Sequence, residues 1–237
     1  MFQDYFRDFI FYLEIMCAIV ATITYKSYKN TPNKYFLHFF WLTVIVETIG
    51  LLRFYDYYYQ DNGFIIFLNN IFPERFIEHN SWLYNIFKVI TYYMYMNYLY
   101  KLINEKRAKR TISYLIGFFL IVVILDFIFN YNIFLIESLF WNRIAGSLMF
   151  LLCLFIYLFE VFNSNEVLTF HKTLSFWLLF GVLIFNLATV PIFIFSNRLG
   201  IVHPAYRFIL SFSNIILYGF AIIGFILNHR AHNKKYK

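Results

Sequence analysis

Residues 101–129 read KLINEKRAKR followed by TISYLIGFFLIVVILDFIF, a run of basic residues feeding an apolar run with one late acid, Asp126. At 1.5 Å per residue the ~19 residues from Thr111 to Phe129 span about 28 Å, roughly the hydrocarbon thickness of a bilayer. The stretch therefore predicts a transmembrane helix. The hinge ahead of it sets Lys101, Lys106, Arg107, Lys109 and Arg110 against a single acid, Glu105. Such a cluster is held on the cytoplasmic side during insertion, so this one loop orients the remainder of the chain.

Composition agrees with that reading over the full 237 residues. The chain is 61% hydrophobic, 24% aromatic and only 14% charged, with mean hydropathy +0.61, which excludes an ordinary soluble domain of this length. Its net charge is +7, but the basic residues flank apolar runs instead of forming a stripe with glycines. The bilayer with its anionic headgroups is the expected partner, and nucleic acid is not. Cys17 and Cys153 fall inside expected helices and read as small packing residues, not as a disulfide or metal site. The first residues, MFQDYFRD, carry two acids and no basic region, so the first apolar run reads as a retained helix and not a cleaved signal.

Seven spans are expected in one all-helical transmembrane domain covering 1–237. They run from about Phe9 to Tyr25, Tyr35 to Leu52, Trp82 to Tyr100, Thr111 to Phe129, Ile144 to Phe162, Ser175 to Phe195 and Phe208 to Leu227. GFIIFLNNIF before Pro73, and the apolar part of NYNIFLIESLFWNR, are too short to cross and read as interfacial pieces. With the N-terminus outside and the C-terminus cytoplasmic, thirteen Lys and Arg fall inside, six outside, and Lys88 lies within a span. The expected location is a bacterial inner (cytoplasmic) membrane. Arg143 and Glu160, at the two ends of the fifth span, read as snorkelling charges that need no partner.

Depth counted along each span gives the one informative pattern. Glu14 comes out roughly 8 Å below the outer edge, Lys88 about 9 Å, Glu47 about 12 Å and Asp126 about 8 Å, with Ser211, Ser213 and Asn214 at roughly 5 to 9 Å. A lone ionised side chain in hydrocarbon costs at least ~2.5 kcal/mol, so these groups should face the bundle and one another. The economical arrangement pairs Lys88 with Glu47, with Glu14 or Asp126 as a third member. Three acids against one base leave negative charge over, to be met by a proton, water, a cation or a cationic ligand. The layer then reads either as a structural pair that sets helix register or as an outward-open pocket lined by Glu47, Lys88, Glu14, Asp126 and Asn214. Pro191 with Asn186 could bend the sixth span toward such a cavity, although a plain packing kink is the commoner case.

Chemistry-bearing motifs are missing. There is no G-x-S-x-G, no H-E-x-x-H and no glycine-rich phosphate loop, and the six histidines are scattered over both sides of the membrane. The seventh span has no lysine, which argues against a retinal Schiff base. No cofactor or metal is expected, and nothing here assigns an enzyme. The layout of three, one and three spans, with LHFFWL around Trp41 against LSFWLL around Trp177, looks like that of SWEET-type sugar transporters. Only Pro191 lies within a span, however, whereas that family normally has helix prolines in both repeats. The topology also looks like that of seven-helix receptors, without a diagnostic motif, and no family is assigned. The function expected is a receptor-like or accessory membrane protein. Its intramembrane pocket takes a small ligand or ion, and it signals through a separate protein partner or its own oligomer, because the internal loops and tail are too short to form an output domain. The alternatives are a secondary transporter or channel, a lipid-modifying intramembrane enzyme, and an oligomeric pore subunit.

Overall fold

A backbone surrounded by apolar side chains and lipid must satisfy its own N–H and C=O groups, and helices do so within one segment. The computed structural model describes residues 2–51, 79–165, 167–198 and 204–235. These residues are 88% helical with no strand. Seven long helices appear among them: α1 (Phe2–Thr24), α2 (Lys34–Gly50), α3 (Ser81–Leu102), α4 (Lys106–Phe129), α5 (Phe140–Phe162), α6 (Leu174–Arg198) and α7 (Pro204–Lys235). Five of them, α1 and α4 to α7, are long and apolar enough to cross a membrane. Of the other two, α2 is only 17 residues long and α3 carries six tyrosines and two lysines. The interfacial piece expected at GFIIFLNNIF lies outside the described residues. The one expected after Asn130 is a single turn, Tyr131–Phe134, folded against α3.

Helix neighbours define a ring in the order α1, α2, α3, α5, α6, α7, closed by α7 against α1, with α4 outside it in the groove between α3 and α5. That position suits α4, which has the highest mean hydropathy of the five, 2.6, and only 17% of whose span is buried. One end of the ring carries Glu14, Glu47, Lys88 and Asp126; we call it the acid end. The opposite, hinge end carries the basic residues at 26–34, 101 and 106–110.

The expected basic hinge loop is corrected. α3 runs to Leu102 and α4 begins at Lys106, so the link is Ile103–Glu105 and the basic run is the start of a helix. Lysine and arginine are good helix formers, and the link is tied down from the side. Ile103 is fully buried, and the Asn104 backbone N–H donates to Glu160 Oε1 at 2.8 Å. Glu160 thus has a structural partner that its end position did not suggest. The tail behaves similarly: α7 continues through NHRAHNKK as helix to Lys235.

The hinge end is closed by rings and hydrogen bonds. Tyr28 packs on Phe225 at 5.0 Å between centroids, and Phe36 meets Tyr98 edge-on at 4.9 Å. Asn33, in the turn between α1 and α2, accepts from Tyr98 of α3 at 2.6 Å and from Ser175 of α6 at 3.2 Å. Asn228 of α7 donates to Ser27 at 3.0 Å. One knot therefore holds the ends of five helices. Between helices, small residues permit close approach: a Cβ on Gly181 would lie 3.1 Å from the Leu217 carbonyl oxygen, and one on Gly224 would lie 2.6 Å from Cβ of Trp177. Cys17 and Cys153 are free and buried in the core.

Candidate functional site

The polar layer at the acid end separates into three groups. In the first, α1 and α2 bring Glu14 and Glu47 within electrostatic reach of each other. Tyr84, one turn into α3, donates to Glu47 Oε2 at 2.9 Å. Its ring lies against Gly50, one turn beyond Glu47, where a Cβ would sit 2.5 Å from the hydroxyl oxygen. Glycine at position 50 is what lets the tyrosine reach. Glu14 is 5% exposed and lies beside Tyr218 of α7, while its Oε2 has no hydrogen-bond partner. Tyr218 rests on Phe40, and Phe40 on Phe225, so the floor of this group is the aromatic core. Among the described residues no Lys, Arg or His forms an ion pair with either acid.

The second group is cationic. Lys88 Nζ donates to Ser138 Oγ at 2.7 Å and lies 6.0 Å from the centre of the Phe193 ring of α6. The Arg143 guanidinium lies over the same ring at 4.3 Å. The two charges are close enough to repel. The expected pairing of Lys88 with Glu47 is therefore corrected: each is bonded to a hydroxyl, Ser138 for the base and Tyr84 for the acid. Arg143, expected to snorkel, instead joins Lys88 at this ring.

The third group is structural. Asp126, at the end of α4, receives Asn130 Nδ2 at 2.7 Å and the Asn142 backbone N–H at 2.7 Å. It caps the first turn of α5 from a neighbouring helix, satisfying one of the N–H groups a helix start leaves open. We expect Asp126→Ala to cost about 2 kcal/mol in an unfolding titration while leaving the Glu14 and Glu47 group intact. Asn214 donates to Leu210 O of its own helix at 3.2 Å, one turn from Tyr218 on the same face.

No family model matches the chain, and no curated protein or solved structure matches it with significance.

Sequence reasoning found both acids and the lysine but missed Tyr84, Tyr218, Ser138 and Arg143. Two signals were available: Tyr84 and Lys88 are four apart and so share a face of α3, as Asn214 and Tyr218 do on α7. Among the described residues no three His, Cys, Asp or Glu converge as metal ligands. Two carboxylates and two phenols, with one carboxylate oxygen open, can bind a single positive charge by electrostatics and hydrogen bonding. They do not make a multidentate metal cage.

Proposed function

We propose that this chain is a seven-span, receptor-like or accessory membrane protein whose Glu14–Glu47 pair takes a small cation or cationic ligand from the outer face. Helix movement is read by a separate protein partner. The observation that carries the reading is the open Oε2 of Glu14, buried beside a second acid, with no base among the described residues to answer either. A buried carboxylate left in that state is costly, and a bound cation would offset the cost.

Seven spans are supported by α2 and α3 packing in the same ring as the five apolar helices. At 1.5 Å per residue α2 is about 26 Å long and α3 about 33 Å, near the hydrocarbon thickness. A cytoplasmic hinge end is supported by the basic residues gathered there, which favour that side during insertion. The closed hinge half favours a receptor over a transporter, since a transported ion would have to pass Tyr28, Phe36, Tyr98 and Phe225, each no more than 1% exposed.

The test is thermal unfolding of the protein in nanodiscs of zwitterionic lipid, with sodium, potassium and methylammonium titrated at constant ionic strength. One of these should raise the melting temperature of the wild type by about 4 °C at tenfold excess over its Kd, and Glu14→Gln or Glu47→Gln should abolish the rise. If no cation stabilises the protein, or the rise survives both substitutions, the reading fails.

A further inference from the structure

Lys88 and Arg143 form a second pole that the cation site does not use. The lysine enters from α3 and the arginine from the first turns of α5, and both lie over the ring of Phe193. Two positive charges in mutual repulsion should be driven apart or answered by an anion. Among the described residues no acid of this end pairs with either cation: Glu47 is engaged by Tyr84, Asp126 by Asn130 and Asn142, Glu14 lies beside Tyr218, and Glu137 is exposed. Among the described residues Arg143 donates no hydrogen bond, so its planar fork of donors is unused. The one hydrogen bond of Lys88 goes to a neutral hydroxyl.

We propose that Lys88, Arg143 and Ser138 bind a phosphate group. A point charge beside a bidentate guanidinium suits a tetrahedral oxyanion, and a doubly cationic site matches the one to two negative charges phosphate carries near neutral pH. Phe193 holds the two cations in place by their attraction to its ring. Ser138, which accepts from Lys88, can turn its own proton toward a phosphate oxygen. Arg143 lies about 5 Å along α5 and Lys88 about 10 Å along α3, which is headgroup depth or just below it. The phosphate therefore comes either from solution or from an anionic lipid entering from the side.

The experiment uses the full chain in nanodiscs of phosphatidylcholine alone or with phosphatidic acid, read by thermal unfolding and by native mass spectrometry for retained lipid. In phosphatidylcholine discs, inorganic phosphate at tenfold excess over its Kd should raise the melting temperature by about 4 °C, with chloride at equal ionic strength having no effect. That result assigns a soluble phosphate. Stabilisation by phosphatidic acid alone, with the lipid retained in the mass spectrum, assigns a headgroup. In either case Lys88→Gln and Arg143→Gln should weaken binding at least about tenfold. Stabilisation by neither source, or binding undiminished in both variants, overturns the proposal. If the glutamine variants do not accumulate, Arg143→Lys decides, since it keeps the charge and loses the fork; unchanged phosphate binding there also overturns it. Glu14→Gln should keep the phosphate response while losing the cation response, so this site and the acid pair fail or stand separately.

Discussion

Alanine at Gly146 is expected to destabilise the protein by about 3 kcal/mol, enough to lower sharply the yield of folded material. Its Cβ would fall 2.2 Å from Cδ2 and 2.6 Å from Cγ of Tyr92, well inside van der Waals contact. The tyrosine has nowhere to go. Its ring meets Phe119 of α4 edge-on at 6.2 Å, and its hydroxyl donates to Asn186 of α6 at 3.3 Å. Moving it loosens α3 from three neighbours at once. Gly117→Ala and Gly219→Ala provide the control, since a Cβ at either meets nothing within 4 Å. Those two should leave stability unchanged or raise it by up to ~1 kcal/mol through helix propensity alone. Equal unfolding midpoints for Gly146→Ala and the wild type would mean that α3 and α5 do not pack as described.

Asn85→Ala should cost a similar amount, about 3 kcal/mol, for a different reason. Asn85 is 1% exposed, and all of its bonding capacity used here goes to the segment joining α4 to α5. Its amide donates to Phe134 O at 3.0 Å and Glu137 O at 2.9 Å, and its oxygen accepts the Leu139 N–H at 3.0 Å. Alanine leaves two carbonyls and one N–H without those partners, in a part of the chain where water is scarce. Because Ser138 sits between the anchored residues, the same substitution should also weaken phosphate binding at Lys88. Asn85→Asp, which keeps the acceptor for Leu139 but turns a second oxygen toward the two carbonyls, should cost at least as much as alanine in an unfolding titration. A wild-type midpoint for Asn85→Ala would show that the segment is held by something else.

Helix existence was legible in the sequence because long apolar runs with charged ends leave little choice of structure. The hinge-end boundaries were less legible. Lys106 to Arg110 look like a loop when judged by charge, yet they are good helix formers whose long stems can reach water from the helix surface. Glu14 and Glu47 do come within electrostatic reach of each other, while Lys88 and Asp126 bond to other partners. What failed was direction around each axis. A helix that is apolar on every side gives no amphipathic signal to say which way a given residue faces, so equal depth was read as contact between Glu47 and Lys88. Their true partners, Tyr84 and Ser138, are unremarkable in a chain with 21 tyrosines and many hydroxyls. The most apolar of the five candidate spans, α4, lies outside the ring.

The Asn33 knot has a mechanical consequence. Helices pinned together at one extremity can tilt only about that fulcrum, like the ribs of a fan, so displacement grows with distance from it and is smallest at the hinge end. A partner that senses such splaying would gain most leverage by lying alongside the helices within the bilayer plane, near the acid end, and least by docking beneath the pinned tips.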